Sequence, residues 1–271
     1  MLTSASSSGR GRKELKRAGS RLVASVESKS LVRKSSRWAA WLDVLQGVSG
    51  LVLLLFIWTH MIMVSSILIS KDAMFVVSRM FEGVYVFDEP HPVLVSMVAV
   101  VIFCLLVIHG IIALRKAPSS YREYRQFMTH ANRFKHTDTN LWLLQVITGF
   151  ILMFLATAHI YQMFSQPGNI GPYASADRIW TNTVWPLYLV LLFAVELHGG
   201  VGLYRWLLKW GWFGLANNRQ QLKVAKSAIT GFFLILGLLT LAAYIKLGIE
   251  HENHAGERYR PVSFMQQMEN P

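Results

Sequence analysis

Cysteine is almost absent from this 271-residue chain, which has one, Cys104, inside an apolar stretch. A single thiol cannot build a disulfide framework, a thiolate zinc site or an iron–sulfur site. Charged residues are also scarce, at 15% against 53% hydrophobic residues. This composition leaves too little polar surface for a soluble globule. We therefore interpret the chain as an integral membrane protein in which Cys104 packs as a small buried side chain.

Two further absences narrow the fold class. Segments of about ten residues with alternating apolar and polar side chains are missing, which argues against an outer-membrane barrel. Runs of about 20 apolar residues are present instead, and they predict an all-α bundle of five transmembrane helices. The predicted spans are residues 41–69, 92–114, 140–164, 184–208 and 227–249. The chain then divides into a basic extension (1–40), a five-helix domain (41–249) and an acidic tail (250–271).

The net charge of +12 is distributed unevenly along the chain. Twenty-one Lys and Arg residues lie in segments 1–37, 115–136 and 205–226, whereas six lie in segments 70–91, 165–182 and 246–271. By the positive-inside rule, we expect a protein of the inner membrane with a cytoplasmic N-terminus and an external C-terminus. We expect the basic face to contact anionic lipid or an acidic partner protein rather than nucleic acid. Residues 1–40 lack the apolar core of a secretory signal and are expected to be a cytoplasmic extension.

Each of the first four spans contains one histidine in its C-terminal half, and these are His60, His109, His159 and His198. If the helices alternate in direction, His60 and His159 share the outer depth, and His109 and His198 share the cytoplasmic depth. Buried imidazoles need partners, and only residues at one depth can bind the same metal ion. Paired neutral imidazoles are suitable axial ligands for an electron-transfer haem. The sequence therefore predicts two b haems held by the first four helices.

The first and third spans repeat a pattern ahead of their histidines. Gln46 and Ser49 precede His60 at the same spacing at which Gln145 and Thr148 precede His159. Ser49 and Thr148 stand eleven residues before their own histidines, which is about three helical turns or about 16 Å. We therefore expect both hydroxyls beside the cytoplasmic-side haem.

The second and fourth spans repeat a different pattern, in which a glycine and then a basic residue follow the histidine. Arg115 follows His109, and Arg205 follows His198. Both arginines are candidates for contact with haem propionates. They are equally explained as ordinary positive-inside residues at the ends of spans.

Glu196 is an acid deep in a span, two positions before His198, with no cation within one turn. An ionised carboxylate is costly in hydrocarbon, so Glu196 is either protonated or hydrogen-bonded inside the bundle. We interpret it as a proton carrier, the alternative being a neutral carboxyl that donates to a backbone carbonyl. The remaining histidines are predicted to be solvated in loops or at helix ends, and these are His91, His130, His136, His251 and His254.

Several motifs resemble a known family. The chain from about residue 38 to 250 is similar to the two-haem cytochrome b subunits of epsilonproteobacterial-type menaquinol:fumarate reductases. Related single-chain cytochrome b anchors serve succinate:menaquinone dehydrogenases. The motifs that carry the resemblance are Trp185-Pro186-Leu187-Tyr188, Glu196-Leu197-His198-Gly199, Gly202-Leu203-Tyr204-Arg205 and Lys209-Trp210-Gly211-Trp212-Phe213.

The resemblance implies a function as well as a fold. It implies that His109 and His198 hold a proximal haem, near a flavoprotein and an iron–sulfur protein on the cytoplasmic face. It implies that His60 and His159 hold a distal haem, with menaquinol nearby on the outer side. Electrons would pass from menaquinol through the distal and proximal haems to the iron–sulfur partner, and the reverse path would serve succinate oxidation. The resemblance also allows a dimer of such heterotrimers.

Two carboxylates acquire roles from the same resemblance. Glu82 matches an acid that the family uses as proton acceptor from quinol, although the residues alone present it as one of several solvated acids. A carboxylate near the distal haem can hydrogen-bond the quinol hydroxyl and accept one of its protons. Glu196 matches a carboxylate proposed to move protons alongside electron flow.

Two other classes of function stay open from the sequence. One is another transmembrane di-haem cytochrome b that serves a hydrogenase, a formate dehydrogenase or ascorbate. The other is a haem-free transporter that uses its histidines and Glu196 as a proton relay. The quinol:cytochrome c reductase type is a poor match, because it places two histidines on each of two helices.

Overall fold

The computed structural model describes residues 37–116, 120–134, 137–211 and 218–261. Residues 1–36 of the predicted extension (1–40) and residues 262–271 of the predicted tail (250–271) lie outside the described residues. Within the described part, the chain is helical and contains no strand. The compact unit that carries the site extends from Val44 onward, and residues 37–43 are the first turns of the first helix.

Nine α-helices lie in the described ranges, and five of them are long and apolar enough to span a membrane. In chain order they are α1 (Arg37–Val64), α2 (Lys71–Phe81), α3 (Val84–Phe87), α4 (Val93–Leu114), α5 (Tyr121–Phe134), α6 (Thr137–Ser165), α7 (Pro172–Ile179), α8 (Trp185–Trp210) and α9 (Arg219–Glu250). The spanning helices are α1, α4, α6, α8 and α9. The prediction of an all-α bundle with five spans is therefore confirmed.

The spanning helices extend beyond the apolar runs that predicted them. Helix α9 begins at Arg219 rather than near residue 227, and α6 begins at Thr137 rather than at residue 140. Backbone hydrogen bonds continue along the axis after the side chains become polar, whereas hydropathy marks only the part suited to lipid. The sequence also did not predict the shorter helices α2, α3, α5 and α7, which lie in the connections between spans.

Side-chain contacts establish that the spans alternate in direction. The Ser96 hydroxyl near the start of α4 donates to the carbonyl of Phe164 near the end of α6, at 3.0 Å. Ser65 follows the end of α1, and its hydroxyl lies 2.8 Å from that of Thr240 in the second half of α9. Helices α4 and α6 are thus antiparallel, and α1 and α9 run in the same direction. One end of the bundle gathers basic residues and is called the basic end, with Arg115, Lys116, Arg205, Lys209 and Arg219.

A cluster of buried apolar side chains lies at the opposite end of the bundle. It joins α2, α7 and α9 through Met74, Ala176, Ile179, Leu241, Tyr244 and Leu247. Gly248 permits the close packing of α9 against α7, because a Cβ there would lie 2.9 Å from the backbone oxygen of Ala176. The loops at this end are therefore fixed to the spans rather than free of them.

Two predictions about single residues are wrong. Cys104 is exposed on α4 rather than buried, because one side of a spanning helix faces lipid and an apolar span is not the same as a packed core. His251 was predicted to be solvated but is 7% exposed, with its ring stacked on Tyr173 at 3.9 Å between centroids. His91 and His254 are exposed, as predicted.

Candidate functional site: two histidine pairs

The structure brings the four span histidines together as two pairs. His109 on α4 and His198 on α8 have ring centroids 6.3 Å apart, with ring planes at 82°. His60 on α1 and His159 on α6 have ring centroids 6.2 Å apart, with ring planes at 56°. Ser49 lies beside His109, eleven residues before His60 on α1. The two pairs are therefore separated by about 16 Å along that helix.

The Gln46 and Ser49 pattern on α1 holds the ring of His109. Nδ1 of His109 lies 3.2 Å from the backbone carbonyl oxygen of Gln46 and 3.2 Å from the Ser49 hydroxyl. A carbonyl oxygen can only accept a hydrogen bond, so Nδ1 carries the proton and Nε2 keeps its lone pair. This is the tautomer that binds a metal ion through Nε2, with the other nitrogen oriented by a backbone carbonyl.

The repeated pattern on α6 holds His198 in the same way. Nδ1 of His198 lies 2.9 Å from the carbonyl oxygen of Gln145 and 3.3 Å from the Thr148 hydroxyl. The Thr148 hydroxyl itself donates to the carbonyl of Leu144, at 2.7 Å. Each repeat therefore orients a histidine on the neighbouring antiparallel helix, at the depth of the pair nearer the basic end.

A glycine in each repeat makes room for the ring that the repeat holds. A Cβ at Gly50 would lie 2.8 Å from Cε1 of His109, and a Cβ at Gly149 would lie 3.0 Å from Cε1 of His198. A side chain at Gly50 would therefore displace the imidazole of His109, and one at Gly149 would press tightly on the ring of His198. The two glycines thus set how closely each ring approaches the neighbouring backbone.

The separation of the rings in both pairs fits a metal ion bound between two imidazoles. Two metal–nitrogen bonds of about 2 Å each, together with the half-widths of the two rings, account for centroids 6.2 and 6.3 Å apart. The described part of the chain has no group of three or more His, Cys, Asp or Glu side chains placed to hold a metal ion. Two axial protein ligands suit a metal whose other positions belong to a macrocycle, as in haem.

The pair further from the basic end has a different setting. Nδ1 of His159 lies 3.3 Å from the Tyr188 hydroxyl, which in turn donates to Oε1 of Gln162 at 3.3 Å. The ring of His60 stacks on Phe56, with centroids 5.9 Å apart. A side-chain hydroxyl from the next helix therefore takes the place that a backbone carbonyl has in the first pair.

Arg178 on α7 is a buried cation that sequence reasoning missed. It is 8% exposed, its guanidinium donates to the carbonyl of Asn169, and it lies beside Tyr188 and acts electrostatically on His159. No acidic side chain among the described residues forms an ion pair with it. The sequence offered one signal, because Arg178 is the sole basic residue of segment 165–182. Such a cation suits the carboxylate of a bound group near His159.

The two arginines predicted near the other pair lie at the ends of α4 and α8 nearer the basic end. Nη1 of Arg205 donates to the side-chain oxygen of Gln145, at 2.9 Å, so it touches the repeat that holds His198. Arg115 is the residue at which α4 ends. The side-chain oxygen of Gln46 is buried and has no hydrogen-bond partner in the described structure, so it is a polar atom available to a bound group.

Glu82 lies at the C-terminal end of α2 and is buried rather than solvated, at 5% exposed. Its Oε2 accepts a hydrogen bond from Nη1 of Arg79 at 2.7 Å, and its backbone carbonyl accepts from the N–H of His91 at 2.8 Å. Burial raises the pKa of the Glu82 carboxyl, while Arg79 and Arg258 act in the opposite direction. Burial and the neighbouring cations therefore act in opposite directions on the protonation of the Glu82 carboxyl.

Glu196 is the most deeply buried acid in the described structure, at 2% exposed. Its carboxyl lies by the indole of Trp58, yet Oε1 of Glu196 and Nε1 of Trp58 both lack a hydrogen bond of normal geometry. Side chains lean toward the N-terminus of their own helix, so these two lean toward each other from antiparallel α8 and α1. Glu196 therefore lies between the depths of the two histidine pairs.

Comparisons with known proteins identify relatives of this chain. The family model of the succinate dehydrogenase/fumarate reductase transmembrane subunit matches residues 121–240. The fumarate reductase cytochrome b subunit of Helicobacter pylori is 48% identical over 221 residues, which cover 82% of this chain and 86% of that protein. That of Wolinella succinogenes is 46% identical over 221 residues, covering 80% of this chain and 86% of that protein. A succinate dehydrogenase hydrophobic membrane anchor subunit of Archaeoglobus fulgidus is 33% identical over 96 residues, covering 35% and 77%.

The five-span bundle and the matched segment place the chain among the transmembrane subunits of succinate dehydrogenases and fumarate reductases. Within that class, the chain belongs to the family of fumarate reductase cytochrome b subunits, because 46–48% identity extends over four fifths of its length. It is therefore one subunit of an enzyme complex. The resemblance drawn from the sequence motifs is confirmed.

Proposed function

We propose that this chain is the membrane anchor and quinone-reacting subunit of a complex that transfers electrons between menaquinol and fumarate, or from succinate to menaquinone. The observation that carries the proposal is the two histidine pairs at different depths, with ring centroids 6.2 and 6.3 Å apart. Bound between the pairs, two b haems would supply one-electron transfer along the bundle axis. A single cysteine cannot hold an iron–sulfur cluster, and the sequence has no Gly-rich dinucleotide motif for a flavin. Both groups would therefore belong to partner subunits.

The charge distribution supports one orientation in the inner membrane. Twenty-one Lys and Arg residues lie in the segments assigned to the basic end, against six in the others. We therefore place the basic end in the cytoplasm, with the C-terminus outside. The flavoprotein and iron–sulfur subunits would dock there, where α5 presents Arg122 and Arg125 on its exposed surface.

Different side chains around the two pairs would bind different parts of each haem. The four histidines would hold the haem iron through Nε2, and the backbone carbonyls of Gln46 and Gln145 keep two of the rings in the tautomer that leaves Nε2 free. Arg178 is placed to bind a propionate beside His159, and Arg205 is the corresponding candidate beside His198.

Each pair should hold its own haem. We expect His60→Ala and His109→Ala each to remove one b haem and leave the other, because the pairs share no ligand and lie about 16 Å apart along α1. The measurement is haem content together with a redox titration of the b-type absorption in the purified complex. The haem lost should have a different midpoint potential in the two variants.

The matched control is His91→Ala, since His91 is an exposed histidine in the loop before α4 and belongs to neither pair. That variant should keep both haems. Loss of both haems from His60→Ala and from His109→Ala alike would contradict two separate sites, and a complex without b-type absorption would contradict the cytochrome function itself.

Glu82 is the proposed proton acceptor for quinol on the external side. Oxidation of a quinol to a quinone releases two electrons and two protons, and a buried carboxylate can take one proton from a bound hydroxyl. The Arg79 guanidinium neutralises the charge of the ionised Glu82 carboxylate. Burial raises the pKa of Glu82, which favours uptake of a proton. Proton release on the external side would follow from the location of α2.

Glu82→Gln should retain both haems and lose quinol oxidation, because the amide cannot accept the proton. In the unmodified complex, turnover should fall as the pH drops through the pKa of Glu82, because only the ionised form is an acceptor. Since burial raises that pKa, the fall should be centred above the model-compound value of 4.5. The measurement is quinol:fumarate turnover against pH. Normal turnover in the variant would refute the assignment.

Glu196 is proposed to carry a proton through the bundle alongside electron flow. It lies between the two pairs, is 2% exposed and faces the indole of Trp58 without a normal hydrogen bond. A buried carboxyl with an unsatisfied oxygen can pick up and release a proton at modest structural cost when neighbouring charge changes.

Glu196→Gln should keep both haems but reduce turnover and change the charge moved across the membrane per electron pair. Glu196→Asp should preserve a measurable part of both, since it keeps the carboxyl. The measurement is turnover in proteoliposomes with a membrane-potential dye. Unchanged turnover and charge movement in Glu196→Gln would remove the proton pathway.

The composition of the complex separates this function from other transmembrane cytochromes b. We expect a flavoprotein and an iron–sulfur protein to co-purify with the tagged chain in mild detergent, and the purified complex to reduce fumarate. The measurements are the flavin fluorescence of the purified complex, its iron–sulfur electron paramagnetic resonance signals and the masses of its subunits. Recovery with a hydrogenase or formate dehydrogenase, or as a haem protein alone, would favour the other electron-transfer classes.

A further inference from the structure

Tyr188 lies in the first turn of α8, and its hydroxyl joins two side chains of the neighbouring helix α6. The hydroxyl lies 3.3 Å from Nδ1 of His159 and donates to Oε1 of Gln162, also at 3.3 Å. His159 and Gln162 are three residues apart, so they are neighbours on one face of α6. The Tyr188 ring also packs edge-on against the His159 ring, with centroids 5.4 Å apart. The phenol is thus held between two side chains of one helix.

The direction of these hydrogen bonds follows from the single proton of the phenol. Because that proton goes to Oε1 of Gln162, the phenol oxygen is left as an acceptor, and Nδ1 of His159 is the donor. Nε2 of His159 then keeps its lone pair, as in the tautomer that binds a metal ion. Tyr188 therefore does for His159 what backbone carbonyls do for His109 and His198.

Helices α6 and α8 hold each other's histidine. Gln145 and Thr148 on α6 contact Nδ1 of His198 on α8, and Tyr188 on α8 contacts Nδ1 of His159 on α6. Thr148 stands eleven residues before His159, and Tyr188 stands ten residues before His198. The two separations are about 16 Å and about 15 Å along their helices. One register of two antiparallel helices therefore satisfies both contacts.

Tyr188 supplies the one hydrogen bond to a ring nitrogen of its pair among the described residues. The His60 ring stacks on Phe56 and lies opposite His159, and it makes no hydrogen bond to another described residue. In the pair nearer the basic end, by contrast, the Nδ1 atoms of both rings reach backbone carbonyls. The electronic setting of the pair of His60 and His159 thus depends on one side-chain hydroxyl, which a substitution can remove.

We propose that Tyr188 is a positioning residue that sets the redox potential of the haem held by His60 and His159. An acceptor for the Nδ1 proton makes the imidazole a stronger electron donor to its metal ion. Stronger donation favours the more positively charged, oxidised iron and so lowers the potential. The inference rests on the proposed function, in which this pair holds a b haem.

Gln162 contributes through the phenolic proton. Its amide oxygen accepts that proton, which makes the phenol oxygen of Tyr188 a better acceptor for Nδ1–H of His159, since linked hydrogen bonds polarise one another. Loss of the amide should therefore weaken the effect of Tyr188 without removing it.

The test compares Tyr188→Phe with the unmodified purified complex in a redox titration of the b-type absorption. Phenylalanine keeps the ring and removes the acceptor, so both haems should be retained. The haem of this pair, identified by its loss in His60→Ala, should have a higher midpoint potential. We expect its equilibrium to shift about two- to tenfold toward the reduced form, which is about 20–60 mV at about 59 mV per tenfold for one electron. The potential of the other haem should not change.

Two further variants provide the controls. Tyr161 is an exposed tyrosine on α6, two residues after His159, and Tyr161→Phe should leave both potentials unchanged. Gln162→Leu should raise the same potential as Tyr188→Phe does, but by less. In the Tyr188→Phe background Gln162→Leu should have no further effect, because both residues act through one chain of hydrogen bonds. A role of Tyr188 in packing alone does not predict this dependence.

The outcomes separate this inference from the function on which it rests. If Tyr188→Phe keeps both haems and both potentials, the role of Tyr188 is refuted and the two-haem function stands. A lowered potential, or an equal shift at both haems, would refute it as well. If Tyr188→Phe loses this haem, Gln162→Leu decides, since an unchanged potential there would refute the role. If the purified complex contains no b haem, the proposed function fails, and the inference about Tyr188 fails with it.

Discussion

A histidine inside an apolar span must donate a hydrogen bond from its ring N–H to an acceptor within the bundle. The packing of four helices depends on which acceptor each histidine reaches. A helical carbonyl already accepts one hydrogen bond from its own helix but has a second lone pair. The carbonyls of Gln46 and Gln145 use that second lone pair for histidines of neighbouring antiparallel helices. The approach requires the glycine beside each hydroxyl residue, because a Cβ would collide with the ring.

At the opposite end of the bundle, side chains and loops rather than helix backbone contact the histidine pair. His159 reaches the Tyr188 hydroxyl, and Arg178 on a short helix supplies a buried cation nearby. Glu82 and its ion pair lie at the end of another short helix. The proposed quinol site thus lies among the loops, whereas the more regular backbone setting holds the histidine pair nearer the proposed docking face.

The features that the sequence predicted arise from regular periodicity. Charge asymmetry and apolar length determine direction and depth, and an eleven-residue spacing puts Ser49 and Thr148 on the face of their histidines. The residues that were missed depend on contacts with no local pattern. Tyr259 binds Asp72 across 187 positions, and the burial of His251 depends on α7, a helix that the sequence presented as a loop.

Helices α1 and α6 each contribute to both pairs, a histidine to one and a glycine-containing repeat to the other. Because the helical rise is constant, the number of residues between repeat and histidine sets the distance between the two histidine pairs. A one-residue insertion there would turn the histidine by about 100° relative to its repeat, whereas the connecting loops can change length without altering this spacing. A change of length within either of these two short stretches of helix would therefore disturb both histidine pairs at once.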